Sequence, residues 1–138
     1  MADPCVAALT CLGNDLGFEN VFSRQIEIHG RPNDLLIAIS SSGNSANILN
    51  AVAAARDAGM QVLTLSGFGA DNKLRRLGDI NFYVPSALYG FVEILHLAIG
   101  HAFLDLATSQ ALRDLAAQWR GDDATSRQRV VNGASREA

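Results

Sequence analysis

A three-layer α/β fold with a parallel sheet is predicted by three features of this 138-residue sequence. Apolar runs of strand length (Leu35 to Ile39, Val62 to Leu65, Ile80 to Val84) alternate with helix-like segments. The first run is apolar at every position, which suits a strand covered on both faces, as in a parallel sheet. Its end passes directly into a turn of small hydroxyl residues, Ser40-Ser41-Ser42-Gly43-Asn44-Ser45, placed before a helix. Strands alternating with helices imply right-handed crossovers and helices on both faces of the sheet.

Each element has its own signal. Asp3 to Leu12 is compatible with a helix, Glu19 to Ser23 is ambiguous, and Gln25 to His29 reads as a short helix or an irregular strand. After the first strand and the serine turn, Ile48, Leu49, Val52 and Ala55 recur at helical spacing. Gly59 then stands where the helix needs a left-handed residue. Val62 to Leu65 is the second strand and Lys73 to Leu77 a short helix. Ile80 to Val84 is the third strand, closed by Pro85. A long helix from about Tyr89 to Leu112 completes a domain over residues 1–112. Residues 113–138 are polar and read as a tail.

With 49% hydrophobic and 18% charged residues, the chain has the composition of one globular domain. The net charge of −3 and scattered basic residues leave no positive stripe for nucleic acid. No membrane span is expected either, because Glu93, His96, His101 and Asp105 interrupt the longest apolar stretch, Phe91 to Ala107; this stretch reads as a buried helix. Cys5 and Cys11 have no second pair for a four-ligand metal site, no activating neighbour and no secretory signal before them, so a reduced, cytoplasmic setting is expected.

The serine turn carries the most chemistry. A strand ending in hydroxyl residues and a glycine, just before a helix, aims backbone N–H groups and the positive end of the helix dipole at one point. Ser40, Ser41, Ser42 and Ser45 each add a hydroxyl donor, and Gly43 permits a tight turn. With no lysine or arginine, the turn is unlike a Walker loop, and neutral donors suit a monophosphate. Helix capping alone explains one such residue, not four. Gly67-Phe68-Gly69 begins like a dinucleotide fingerprint, but Asn72 stands in place of the third glycine and an ordinary loop is the better reading.

The string from Ile39 to Asn47 closely resembles the phosphate loop of the sugar isomerase (SIS) domain family, and within it the phosphoheptose isomerases. Gly13 to Glu19 with Val21 to Arg24, Ala54 to Met60 with Leu63 to Leu65, and Glu93 to His101 are similar to further segments of that family, so the resemblance runs over roughly Ala2 to Leu106. It implies a flavodoxin-like sheet order and a homotetramer. It also implies interconversion of sedoheptulose 7-phosphate and D-glycero-D-manno-heptose 7-phosphate, an aldose-ketose isomerisation in the synthesis of lipopolysaccharide precursors. By the resemblance, Ser40, Ser41, Ser42 and Ser45 hold the phosphate, Asp15 and Glu93 lie near the sugar, and His101 is the acid-base residue. The family's N-terminal helix region, its first strand with an Asn-Gly-Gly-Ser turn, and its catalytic glutamate have no counterpart in this sequence. A truncated or diverged member is therefore expected, or one completed by another chain. Glu93 replaces a glutamine of the family, and Gly90 an aspartate. Non-catalytic members such as the DnaA initiator-associating protein supply the alternative, a phosphosugar-binding or assembly module.

Proton transfer between adjacent carbons calls for a base near neutral pKa, which histidine provides. Eight residues separate Glu93 from His101, which puts them within a quarter turn of each other on a helix. His96 points to another side and is expected to be packed or bonded to a carbonyl. The resemblance also brings zinc, bound in some members; Glu93 and His101 are chemically able ligands, but the sequence supplies no further ones. On the residues alone, Asp15 is equally a turn former, and Glu93 is equally a partly buried carboxylate paired with an arginine such as Arg24 across a subunit boundary.

Overall fold

A computed structural model describes residues 6–109 and 113–114. The chain falls into two compact units, Met1–His96 and Leu97–Ala138. In the first, helix α1 (Val6–Leu16), a 3₁₀ turn (Phe18–Asn20) and helix α2 (Ser23–His29) precede strand β1 (Leu35–Ser40). Helix α3 (Ala46–Asp57), strand β2 (Gln61–Ser66), a 3₁₀ turn (Leu74–Arg76) and strand β3 (Ile80–Tyr83) follow. Helix α4 (Tyr89–Thr108) begins in the first unit and ends in the second.

The three strands form a parallel sheet in the order β1-β2-β3, flanked by helices. Leu36 lies beside Val62, Ala38 beside Thr64 and Ser40 beside Ser66, so alternate residues of β1 and β2 share the face that packs on α3. There Ala38, Val52, Ala55, Val62 and Leu74 form the core, edged by Ile26, Leu36, Ile48, Leu49 and Met60. Small residues on α3 allow the helix to sit close to the sheet. On the other face of β1, Leu35, Ile37 and Ile39 are about half exposed, whereas Leu63 and Leu65 of β2 are buried. β1 is also an edge strand, so its run of apolar side chains lacks the two-sided cover that its sequence suggested.

Local signals account for most boundaries. α3 ends in a Schellman motif: Gly59 is left-handed (φ 71°), its N–H donates to the Arg56 carbonyl, and Met60 N–H donates to the Ala55 carbonyl. Gln25 to His29, open between helix and strand in the sequence, is helical because Ile26 turns onto the apolar core while the flanking residues stay solvated. Lys73 to Leu77 shrinks from the expected short helix to one 3₁₀ turn. Three side-chain and backbone bonds around Asp79 join the last turn of α3 to the strands. Arg56 Nη1 donates to both Asp79 carboxylate oxygens at 2.8 and 2.9 Å, and the Val62 N–H donates to Asp79 Oδ2 at 2.8 Å. That Val62 bond, then the Arg56 guanidinium, holds the Asp79 carboxyl below its ordinary pKa.

α4 corrects one expectation. The sequence predicts a buried helix, yet only Val92 and His96 are buried, while Phe91, Ile94, Leu95, Leu97, Leu104 and Leu106 are exposed. Apolar composition signals that a helix will be covered, but not that its own chain will cover it. The helix is long and apolar enough to cross a membrane by length and composition, a test that core helices also meet. In the second unit, Arg113 closes the helix by donating to the Ala107 and Thr108 carbonyls at 3.1 and 2.9 Å. The tail expected beyond residue 112 lies outside the described residues from 115 onward.

Candidate functional site

The serine turn occupies the carboxyl end of β1 and leads into the first turn of α3, the place where open parallel sheets receive ligands. Ser40, the last residue of β1, is buried, and its hydroxyl is the hub. It shares hydrogen bonds with the Ser45 hydroxyl at 3.1 Å and, more weakly, the Ser42 hydroxyl at 3.5 Å, and it accepts the Gly43 N–H at 3.2 Å. Gly43 is left-handed (φ 64°), and its N–H also donates to the Ser40 carbonyl, closing a tight turn. The Ser42 hydroxyl accepts the Asn44 N–H at 3.3 Å. Ser41 is half-buried on the same turn.

Ser45 occupies the N-cap position of α3, yet its side chain makes no capping bond. Its hydroxyl turns instead toward Ser40, into the turn. Among the hydrogen bonds of the described residues, none takes the backbone N–H of Ala46 or Asn47. Two amides at the positive end of a 12-residue helix, with three hydroxyls clustered beside them, form a neutral donor set for an anion. The Ser45 hydroxyl therefore does not cap the helix.

The loop after β2 braces this turn, a role that no local sequence pattern signals. Asn72 is buried; its Nδ2 donates to the carbonyls of Gly67 (3.0 Å) and Gly69 (2.8 Å), and its Oδ1 accepts the Arg75 N–H at 3.0 Å. The space a Cβ at Gly43 would need is filled by the Asn72 side chain. Leu74 N–H donates to the Gly43 carbonyl (3.0 Å) and Lys73 N–H to Asn44 Oδ1 (3.2 Å), so two further bonds tie the turn to residues 72–75. Phe68 is held left-handed (φ 57°), an uncommon state for a bulky residue. Its carbonyl accepts the Tyr83 hydroxyl and its ring meets Tyr89 edge to face. The dinucleotide fingerprint is absent as expected, but the asparagine that broke the motif proves to be the brace.

His96 is buried and its Nε2 donates to the Ser66 carbonyl at 3.2 Å, the carbonyl-bonded role expected from its position on the helix. This places the ring proton on Nε2 and leaves Nδ1 buried without a partner, as is the neighbouring Ser66 hydroxyl. Val92, one turn earlier, packs on Gly67 so closely that a Cβ there would lie 2.7 Å from Val92 Cγ1. The beginning of α4 is thus seated on the end of β2.

The remaining residues singled out in the sequence are dispersed. Glu93 is exposed on α4, and within the chain Arg24 pairs with Glu27 at 2.8 Å on α2. His101 is exposed on α4 in the second unit. Asp15 is helical in the last turn of α1 and not a turn former; the chain turns at Gly17 (φ 84°). Its carboxylate accepts Asn14 Nδ2 at 2.8 Å and the Cys11 thiol at 3.5 Å. The thiol's bond to Asp15, with the carboxylate's charge, pushes the Cys11 thiol pKa up. Cys5 lies outside the described residues. Among the described residues no three His, Cys, Asp or Glu side chains gather as a metal site.

The fold and the site together define a parallel α/β protein with a hydroxyl-lined turn and two unengaged helix amides at the carboxyl end of its edge strand. Known proteins resemble it in sequence and fold. The SIS domain profile matches residues 2–67. The phosphoheptose isomerase of Rhodospirillum rubrum is 45% identical over 100 residues, which cover 72% of this chain and 53% of the relative. That of Escherichia coli O139:H28 is 39% identical over 109 residues, covering 78% and 56%. The structure of a phosphoheptose isomerase from Francisella tularensis superposes with a TM-score of 0.69 at 36% identity, covering 73% of this chain and 54% of that one. The enzyme from Neisseria gonorrhoeae gives 0.68 at 39%, covering 72% and 55%. The chain is a SIS-domain protein related to the phosphoheptose isomerases. It spans about half the length of the curated relatives it matches.

Proposed function

We propose that the serine turn binds the phosphate of a sugar phosphate and that the chain acts as a phosphoheptose isomerase-like protein. The proposed reaction interconverts sedoheptulose 7-phosphate and D-glycero-D-manno-heptose 7-phosphate, a step toward lipopolysaccharide precursors in the cytoplasm. The observation that carries this reading is the convergence of the Ser40, Ser42 and Ser45 hydroxyls beside the unengaged first amides of α3. Ser41 is proposed as a fourth donor, and Asp15 and Glu93 as contacts to sugar hydroxyls. His101 carries the proton between the two carbons through an enediol, returning it to the neighbouring carbon while oxygen protons are exchanged with solvent. A homotetramer is proposed as the working assembly, supported by the apolar side chains that α4 leaves exposed.

Incubation of the purified chain with sedoheptulose 7-phosphate, followed by detection of the aldose, tests the reaction. Turnover that falls at least about a hundredfold in His101→Ala is the expected result. No turnover, or turnover indifferent to that substitution, overturns the catalytic assignment. A second reading, a phosphosugar-binding or assembly module without chemistry, is favoured by the placement of Glu93 and His101, both exposed on α4 and neither in an ion pair among the described residues. Calorimetric binding of the sugar phosphate without turnover would select it.

A further inference from the structure

The donor set of the serine turn is neutral, whereas a phosphate monoester carries about −1.5 to −2 charges at neutral pH. Amides and hydroxyls solvate such an ion, and the end of a helix contributes roughly half a positive charge. A binding site of this composition leaves net negative charge uncompensated. The sequence places no cation inside the turn, but the fold brings one to its rim. Lys73, the only lysine of the chain, sits 29 residues downstream of Asn44, and its backbone N–H donates to Asn44 Oδ1. Asn44 in turn is bonded twice to Ser42, through its N–H to the hydroxyl and through Nδ2 to the carbonyl. The base of the Lys73 side chain is therefore fixed to the turn by a short chain of hydrogen bonds. Its stem is exposed, and its ammonium forms no ion pair among the described residues.

Of the other cations of the first unit, Arg76 is exposed three residues beyond Lys73, with its backbone N–H on the Lys73 carbonyl and not on the turn, and the rest are committed elsewhere or lie far off. Arg24 holds Glu27 and Arg56 holds Asp79. Arg75 lies 4.1 Å over the Tyr83 ring and donates to the Ala70 carbonyl. Arg31 precedes β1, at the opposite end of the strand from the turn. Lys73 thus joins an anchored backbone to an uncommitted, flexible charge at the site. We propose that Lys73 is the counter-charge of the phosphate turn and makes the site prefer dianionic phosphate esters over singly charged ligands.

This inference rests on the sugar-phosphate reading of the turn, and the test separates the two. Affinity for sedoheptulose 7-phosphate is measured by calorimetry at low and high salt for the native chain, Lys73→Gln, Lys73→Arg and Arg31→Gln. At low salt Lys73→Gln binds about fivefold more weakly, and at about 0.5 M salt the difference falls below about twofold, because an exposed ion pair is screened. Lys73→Arg retains native affinity within about twofold, and so does Arg31→Gln, which removes the same charge at the far end of β1. Unchanged affinity in Lys73→Gln overturns the inference alone, as does an equal loss in Arg31→Gln, which would make the effect one of overall charge. Failure of the native chain to bind overturns the sugar-phosphate reading and this inference together.

Discussion

The side chain of Asn72 fills the space beneath Gly43, and the two residues, 29 positions apart, interlock the serine turn with the loop that follows β2. Gly43 is left-handed as well, so neither its conformation nor its surroundings accept a side chain. Gly43→Ala is expected to lower stability by about 2–4 kcal/mol in urea denaturation, through backbone strain and the displaced asparagine. Because the penalty is partly steric, the loss is smaller when Asn72→Ala is already present, and a double-mutant cycle measures that coupling.

Asn72→Ala by itself removes two donated bonds and one accepted bond inside a buried loop. A loss of about 2–3 kcal/mol is expected, since the Gly67 carbonyl and the Arg75 N–H are left without their partner. Chemical denaturation reads the loss, and sugar-phosphate affinity falls in parallel because the turn loses its support. Asn72→Asp, which sets a buried carboxylate oxygen against the Gly67 and Gly69 carbonyls, is expected to cost more than Asn72→Ala.

Ser45 separates capping from ligand binding. It stands at the N-cap but makes no capping bond, so Ser45→Ala is expected to change stability by less than about 0.5 kcal/mol. Affinity for a sugar phosphate falls about tenfold in the same variant, as a hydroxyl donor to a charged oxygen is lost. A thermal midpoint that drops as in an ordinary cap deletion, with affinity unchanged, would contradict this role.

Gly67→Ala is expected to unseat the start of α4. The added methyl would lie within 2.7 Å of Val92 and 3.1 Å of the Ser41 carbonyl oxygen, and both neighbours must shift. A destabilisation of about 1–3 kcal/mol follows. Weakened sugar-phosphate binding is expected with it, since Ser41 belongs to the turn. Val92→Ala in the Gly67→Ala background restores part of the stability.

The Asp79 clamp sets an acid dependence. Its carboxyl titrates lower in the folded chain than its ordinary 3.8, through the Val62 N–H and then Arg56. A depressed folded pKa means that the unfolded chain takes up the proton first. This stabilisation is therefore present above the ordinary carboxylate range and is lost as pH falls through 3.8 toward the lower folded value. Thermal melts between neutral and acid pH show a shallower decline for Asp79→Asn than for the native chain, from a lower starting midpoint.

Much was decided by the sequence alone, because local physical chemistry carries it. The alternation of Leu35–Ser40, Ala46–Asp57 and Gln61–Ser66 between strand and helix follows from apolar patterning, and Gly59 ends α3 because only glycine enters the left-handed state without strain. The serine turn was legible for the same reason: hydroxyl density next to a helix start is a contiguous signal. So was the packed role of His96, whose place on the helix differs from that of Glu93 and His101.

Tertiary structure decided what depends on partners distant in sequence. Asn72 looked like the residue that spoils a glycine motif, and only its packing under Gly43 makes it a brace. Lys73 acquired its place beside Asn44 by the crossing of two βα loops, which no local pattern encodes. The exposure of α4 and of the outer face of β1 was hidden for the converse reason. An apolar sequence reports that a surface avoids water, whereas burial requires another surface to meet it, and in this chain Leu35, Ile37 and Ile39 remain half exposed.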